Sequence, residues 1–596
     1  MTFWVFNIEG VIMKKFVGDF ETCTWLENET YVWAWALCEI GNEKNIKVGN
    51  DIGIFFEHLK REYNPVVYMH NLSFDGEFII YYLLKNGYKH IQEYKDIDAK
   101  TFQTLISDTG QFYQIVIYLG RGTRIRKITI IDSLKIIPFK VEVIAESFGI
   151  QEKKLSLNYK KPRERGHILT RSEEQYIMND VIIVSKALDQ LFKEGLTHMT
   201  QSSNAMKDFK STLNHSTFTT CFPIIDKEKS EEIKLAYKGG YVYLNPIYKE
   251  KDLKNIIVID SNSLYPSIMK NMYLPYGEPV YFEGKYKQEC LYSLYVQMIS
   301  FTGLKLKKNK LPTIQLKHRM EFLSTDYVTE YNEGERICLM LTNIDLELFI
   351  ENYEIEGLRY LYGYKFKSVK GIFNEYIDKW FARKNEGIMF DNKGMKTISK
   401  LMLNSLSGKF ASAIEYRNKI PYIAEDNCVH YTTTEPKQRE GIYAPTSIFI
   451  TAYGRKIIIE TAQKIREYTL NKYGYDSFIS TDTDSVHALI SEDDLHEIVE
   501  IDKFKLGAWK IETKAEEGKY LKQKCYILKE ENQIKAHCSG MNQTCYSNIE
   551  WEKFKTGYSI TGNLKKKRVQ GGIVLVESDF TIKDEQIKSN IAKIIL

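Results

Sequence analysis

The sequence lacks the features that mark several common protein classes. Its 596 residues include only 9 Cys, scattered from Cys23 to Cys545, with no Cys-x-x-Cys and no Cys/His set at zinc-finger spacing. That argues against a structural zinc module and leaves reduced thiols in a cytosolic protein as the plain reading. No apolar run approaches the roughly 18–20 residues needed to span a membrane. Residues 1–12 are apolar but have no basic start and contain Glu9, so they do not read as a secretion signal. Met13 opens a Lys-rich strand, and the twelve residues before it read as an upstream start or an addition. Internal repeats and low-complexity tracts are absent too. Charge of one sign is also lacking: the formal net charge is +4. A chain with so even a balance binds nucleic acid only if acids gather in clusters and bases in grooves. What is present, 43% hydrophobic and 27% charged residues, suits a globular protein whose length calls for several domains.

The first third reads as α/β. Short strands are expected at 15–18 leading into Asp19, and at 65–70. Residues 111–119 and 123–131 flank Gly120-Arg121-Gly122, a hairpin signal. Thr170 with Glu173 matches a capping box, and apolar positions then repeat at helical spacing to Phe192. The Ser/Thr/Asn-rich stretch 197–220 reads as a connection between domains. A buried-type strand at 256–259 ends in Asp260. A helix is expected over 397–410, and a strand at 477–481 turns at Asp482-Thr483-Asp484 and continues through Ile490. Near the end, the charge run 565–568 precedes a strand pattern at 571–581.

Two sets of carboxylates carry chemistry. In the first, Asp19 and Glu21 alternate on one strand and so share a face. Asp75 lies in His70-Asn71-Leu72-Ser73-Phe74-Asp75-Gly76, just past a strand end, and Tyr176 and Asp180 share one helix face. Asp19, Glu21, Asp75 and Asp180 together suit two divalent cations that activate a water against a phosphodiester, with Tyr176 orienting that water. Alone, such a D-x-E is usually a solvated strand face. In the second set, Asp260 ends a strand and faces Asp482-Thr483-Asp484. Asp260 and Asp484 are expected to bridge two metal ions with the Ser261 carbonyl as a further ligand, and Asp482 completes the set. Asp-Thr-Asp alone would be an ordinary tight turn. Lys400 and Asn404 share a helix face in Lys400-Leu401-Met402-Leu403-Asn404-Ser405-Leu406-Ser407-Gly408-Lys409, which suits triphosphate oxygens.

These motifs, in this order, resemble those of family B DNA polymerases: a DEDD-type exonuclease set, then D-x-x-S-L-Y-P-S, K-x-x-x-N-S-x-x-G and D-T-D-S. His70-Asn71-Leu72-x-Phe74-Asp75-Gly76 and Asp132-Ser133-Leu134-Lys135 are similar to the protein-primed phage enzymes. The likeness runs from about Met13 to Lys583. It implies a multidomain α/β and α+β fold: an RNase H-like 3′-5′ exonuclease domain followed by palm, fingers and thumb. The implied boundaries are 1–200 for the exonuclease, 201–271 and 438–556 for the two parts of the palm, 372–414 for the fingers and 557–596 for the thumb and tail. Two insertions are implied, at 272–371 for docking a terminal protein and at 415–437 for closing a ring around DNA. The first rests on flanking matches such as Lys365-Phe366-Lys367 and Ile377-Asp378-Lys379-Trp380.

By the same resemblance, Thr22, Tyr68, His70, Asn71, Phe74, Phe78, Ser133 and Leu134 grip a frayed primer end, and Lys154 assists hydrolysis. Tyr265 is the steric gate against ribonucleotides, and Lys384 is a second triphosphate ligand. Tyr237, Gly239 and Gly240 pass DNA between the two sites. Lys524 and Tyr526, alternating on a strand, hold the primer, and 565–568 touches duplex backbone. One position departs from the pattern: Ser407 stands where the family usually has Tyr, beside the nascent base pair, and is kept as lining the pocket. The implied cofactor is Mg²⁺, two per site, with Mn²⁺ the alternative. The implied partners are primer–template and single-stranded DNA, dNTPs and a terminal protein, with no membrane. The expected enzyme is a processive, strand-displacing monomer replicating a linear phage genome in the cytoplasm of an infected bacterium. A pure nuclease is disfavoured because it needs neither Lys400/Asn404 nor Tyr265, and a non-catalytic DNA binder because both acid sets are complete. A DNA-primed family B enzyme and a linear-plasmid polymerase stay open as neighbouring subclasses.

Overall fold

The computed structural model describes residues 13–120, 125–159, 161–316, 326–332, 334–438, 442–531 and 533–583. The first twelve residues, Arg121 and Gly122 of the expected hairpin turn, and the last thirteen residues lie outside these.

The N-terminal unit is built on eight strands: β1 Lys15–Thr22, β2 Val32–Glu39, β3 Asn42–Gly49, β4 Val66–Met69, β5 Lys89–His90, β6 Thr101–Ile106, β7 Phe112–Tyr118 and β8 Lys127–Asp132. Their order is β3-β2-β1-β4-β8-β7-β6-β5, with β4 parallel to both β1 and β8. Strand β7 pairs antiparallel with β8, as the Gly-rich spacing predicts. Period-two alternation divides β1 between two cores. Phe16 and Phe20 pack with the Ile52–Arg61 and Leu72–Lys85 helices, whereas Val17 faces the Arg171–Lys193 helix. Asp19 and Glu21 have the parity of Val17 and therefore lie on the side of that long helix. Its start carries the expected capping box, with the Thr170 and Glu173 side chains each bonding the other's backbone N–H.

Residues 197–220, read as a connection between domains, are largely helical rather than loop. They form the Gln201–Ser211 and His215–Cys221 helices, and their polar residues are caps: Thr200 accepts from Ser203 N–H and Asn214 from Thr217 N–H. Phe209 stacks on Phe373 and meets Phe222 and Phe410 edge-on. Burying each such ring contributes roughly 1.5–3 kcal/mol, enough to override a turn-rich composition.

The second sheet has seven strands in the order Gln533–Cys538, Cys525–Glu530, Trp509–Lys522, Asp252–Ser261, Ser485–Ala488, Phe478–Asp482 and Val242–Leu244. The 29-residue Pro445–Tyr473 helix packs against it, and the helices Asn374–Met389 and Lys393–Phe410 pair beside it. The latter starts before Thr397 because Asn392 caps it through Met395 N–H. Between Met272 and Gly371 the chain builds its own four-stranded and three-stranded sheets around the Asn343–Asn352 helix. Residues 415–438 form nested hairpins, Glu415–Tyr416 with Lys437–Gln438 and Lys419–Ile423 with Val429–Thr433. The charge run 565–568 is itself part of a strand, Ser559–Val569, paired with Gly572–Thr581. That hairpin returns to the N-terminal unit, where Thr30 N–H donates to the Gln570 carbonyl at 2.8 Å.

Candidate active sites

The first acid set closes at one end of the eight-stranded sheet. Asp19 and Glu21 come from β1. Asp75 sits in the first turn of the Leu72–Lys85 helix, past the Met69 end of β4. Asp180 and Tyr176 come from the long helix. Glu21, Asp75 and Asp180 are at least nine-tenths buried. Burial, then the neighbouring Asp180, pushes the Asp19 carboxyl up to about 7. Burial and then Asp19 push Glu21 and Asp75 well above the carboxylate range, and burial raises Asp180. Lys154 donates to Asp180 Oδ2 at 2.9 Å, and the Tyr176 hydroxyl lies 2.7 Å from that of Tyr159. Tyr159 is a residue the motif reading missed.

Behind this set, Asp132 accepts from the backbone N–H groups of Asn71, Leu72 and Leu134 and so ties two motifs together. Asn71 itself adopts a left-handed conformation, φ 72°, at the helix start. The residues expected to grip single-stranded DNA divide into two groups. Asn71, Phe74 and Leu134 are partly accessible, whereas Thr22, Tyr68, Phe78 and Ser133 are buried in packed core. In this conformation those four line no open surface. His70 spans the two groups: its ring nitrogens lie 3.0 Å from Ser133 Oγ and 2.7 Å from the Phe139 carbonyl, and burial lowers its pKa to about 4.

The second set lies at the centre of the seven-stranded sheet. Asp260 pairs across the ladder with Ser485, and Ser261 N–H donates to the Asp484 carbonyl at 2.8 Å, so the strand end and the Asp482-Thr483-Asp484 turn are locked together. Thr483, between the two acids, takes φ 65°. Burial, then Asp260 and Asp482, raises Asp484 to about 6. Asp482 moves the other way: burial acts upward, but His537 and Lys524 hold it below the usual range. Lys524 reaches Asp482 at 2.9 Å. It is not on a strand with Tyr526, as expected; it occupies the hairpin turn at φ 55°, while Tyr526 lies on Cys525–Glu530 and stacks on His537.

Lys384 donates to Asn262 Oδ1 at 2.8 Å and Ser263 Oγ at 3.1 Å, and burial with the nearby Lys510 and Lys400 lowers it to about 8. Lys400 and Asn404 are exposed and line a cavity of about 690 Å³ shared with Phe139 and Ser147 of the N-terminal unit. Ser407 faces inward instead, buried, with its carbonyl accepting from Ser447. The Tyr265 ring rests against Gly454, where a Cβ would come within 3.0 Å.

Tyr237 is exposed and Gly239 has open space around its Cα, but Gly240 does not: a Cβ there would meet Thr483 Cγ2 at 2.7 Å. This glycine allows its loop to touch the Asp482-Thr483-Asp484 turn. The loop is held by Arg455, another missed residue, which donates to the Lys238 and Gly239 carbonyls and to both oxygens of buried Asp345. Of the charge run, Lys566 donates to Ser73, Lys567 to the Glu27 carbonyl, and Arg568 pairs with Glu77 at 3.5 Å. These contacts engage the run within the protein.

Among the described residues, no three His, Cys, Asp or Glu side chains converge into a finished metal cluster. The donor sets still fit divalent cations. Asp75 Oδ1 and Asp180 Oδ1 are buried with no hydrogen-bond partner, and groups of hard carboxylate oxygens suit Mg²⁺. Lysines meanwhile neutralise one acid or more in each set: Lys154 at Asp180, Lys510 at Asp260 and Lys524 at Asp482. Among the described residues, no helix is long and apolar enough to cross a membrane.

Comparison with known proteins matches the chain to "DNA polymerase type B, organellar and viral" over residues 59–175 and 161–501. It is 39% identical to the DNA polymerase of Bacillus phage Nf over 592 residues, covering 96% of this chain and all of that one. It is 37% identical to the DNA polymerase of Bacillus phage phi29, covering 96% and 99%. The structure of phi29 DNA polymerase complexed with primer-template DNA and incoming nucleotide substrates superposes with a TM-score of 0.88 at 36% identity, covering 96% of this chain and all of that one. The same enzyme complexed with single-stranded DNA gives 0.87 over the same coverage.

Proposed function

The chain belongs to the phi29 type of family B DNA polymerases and is a template-directed DNA polymerase; from that premise we propose that it holds two separate reaction centres. Nucleotidyl transfer takes place at Asp260, Asp482 and Asp484, and 3′→5′ proofreading hydrolysis at Asp19, Glu21, Asp75 and Asp180. The observation that carries the proposal is the pair of acid sets anchored on two different sheets, in each of which burial and a neighbouring acid push a carboxyl above its ordinary pKa, Asp19 in one and Asp484 in the other. Such crowding is unfavourable to folding, and a site that binds cations explains its presence. When bound, paired Mg²⁺ ions, or Mn²⁺ in their place, activate the attacking oxygen and neutralise the leaving one.

The side chains then divide the work. At the polymerase centre Asp260 and Asp484 with the Ser261 carbonyl hold the cations, and Asp482 sits toward the primer end with Lys524 and Tyr526. Lys384, Lys400 and Asn404 receive the triphosphate. The Tyr265 ring, backed by Gly454, blocks a 2′-hydroxyl. Ser407 contributes a small buried side chain in place of an aromatic one. Tyr237, Gly239 and Gly240 route the strand between centres. At the exonuclease centre the Tyr176–Tyr159 hydroxyl pair orients the water and Lys154 faces the developing phosphate charge. Asn71, Phe74 and Leu134 meet the unpaired end, with His70, Thr22, Tyr68, Phe78 and Ser133 behind them.

Three distant segments meet at Glu77: the Tyr431 hydroxyl from the 415–437 insertion donates to it at 2.9 Å and Arg568 of the last hairpin pairs with it. This contact supports a closed ring around DNA, and with it processive, strand-displacing synthesis by a monomer. The 272–371 insertion, with its own sheets, is the proposed dock for a terminal protein primer in the infected cell. The test is a labelled primer–template incubated with Mg²⁺. Extension with dNTPs and 3′ shortening without them support both centres; extension alone refutes the exonuclease. A terminal protein supplied in place of the oligonucleotide then separates protein priming from the DNA-primed subclass.

A further inference from the structure

The strands Asp252–Ser261 and Trp509–Lys522 run antiparallel with Asp260 directly opposite Lys510. Cross-strand partners of opposite charge lie within contact of each other, and here Lys510 Nζ is 2.6 Å from Asp260 Oδ1, with side-chain exposures of 37% and 16%. Neither partner sits on a loop: the sheet register fixes both. Around the pair stand Asp484 and Asp482 on the turn, Glu512 two residues along the Lys510 strand, and Lys384 and Lys400 from the paired helices. Asp482 has a comparable partner in Lys524, but that lysine comes from a hairpin turn.

We propose that Lys510 is a positioning residue of the polymerase centre, a built-in counter-ion that holds Asp260 and sets how much divalent cation the centre requires. The inference rests on Asp260 being a cation ligand. A cation that takes Asp260 Oδ1 displaces the ammonium and then meets its charge at close range, so Lys510 weakens cation binding. A lysine suits this task, because it is one point charge on a flexible stem and leaves its partner without breaking a bidentate fork.

The test is calorimetric titration of Mn²⁺ into the DNA-free full chain carrying Asp19→Ala and Asp75→Ala, so that the polymerase carboxylates dominate uptake. Lys510→Ala is expected to tighten Mn²⁺ binding about three- to ten-fold. It should also lower the half-saturating Mg²⁺ concentration for primer extension in the same direction. Lys510→Arg, which keeps the charge and can grip Asp260 with a fork, should not tighten Mn²⁺ binding, and thermal melting checks that each variant folds. If Asp260→Ala removes the uptake but Lys510→Ala leaves it unchanged or weaker, the counter-ion role is wrong. A raised KM for dNTP with unchanged cation affinity would make Lys510 a nucleotide contact and also overturn the role. If Asp260→Ala leaves Mn²⁺ uptake intact, Asp260 is not the ligand, and that reading fails first.

Discussion

Gly240→Ala isolates the polymerase turn from the rest of the molecule. The added Cβ would lie 2.7 Å from Thr483 Cγ2 and 3.1 Å from Thr483 Cα. The methyl could rotate away, but the Cα cannot. Thr483 is already held at φ 65° and donates its N–H to the Tyr241 carbonyl at 3.0 Å, in the loop that carries Gly240. The contact is relieved only if the turn and the loop move apart, and Asp482 and Asp484 move with the turn. Overpacking of this kind costs about 1–3 kcal/mol. The kinetic effect is larger, since misplacing reacting groups by about 1 Å costs on the order of 10²-fold. Single-nucleotide incorporation in rapid-quench assays should therefore slow by roughly 10- to 100-fold. Hydrolysis of single-stranded DNA should stay within about two-fold, because the exonuclease acids lie on β1 and on the Leu72–Lys85 and Arg171–Lys193 helices, not on this turn or its sheet. Extension at the wild-type rate, or an equal loss of both activities, would refute the reasoning.

Arg455→Ala leaves Asp345 buried without its partner, and urea unfolding should show a loss of about 3–5 kcal/mol, part of it recovered when Asp345→Asn removes the orphaned charge. Asp19 and Asp484 have folded pKa values of about 7 and about 6, above their ordinary 3.8. The cation-free protein thus binds more protons folded than unfolded between these limits. That stability is full below about pH 4 and is lost, on the order of 2–4 kcal/mol, as pH rises through 6 and 7. In EDTA the melting temperature should fall from pH 5 to pH 8 and recover with Mg²⁺; a flat profile would contradict the crowding. Ser407→Tyr should lower the apparent KM for dNTP roughly two- to ten-fold by adding an aromatic face, and an unchanged KM would mean another side chain fills that space.

The acid sets were legible because their geometry follows from short-range rules. Period two on β1 puts Asp19 beside Glu21, and helical spacing puts Tyr176 beside Asp180. The helices within residues 197–220 were hidden because local composition favours turns, and contacts with the distant Phe373 and Phe410 help to hold them. Lys524 and Tyr526 have strand spacing, yet a two-residue turn places one of them off the strand. Arg455 and Lys510 carried no local signal: one is a lone arginine inside a long helix, the other a lone lysine on a strand. Their partners, Asp345 and Asp260, lie 110 and 250 positions away in sequence, and only the fold brings them together. The burial of Tyr68, Phe78 and Ser133 was equally hidden, since a motif specifies residue types and not which of them faces solvent.

The central claim is two centres on one chain, and comparing Asp260→Ala with Asp19→Ala on the same labelled primer–template tests it most directly. Asp260→Ala should abolish extension and keep 3′ shortening, and Asp19→Ala should do the reverse. If either substitution removed both activities while the melting curve stayed unchanged, the two acid sets would not be separate centres.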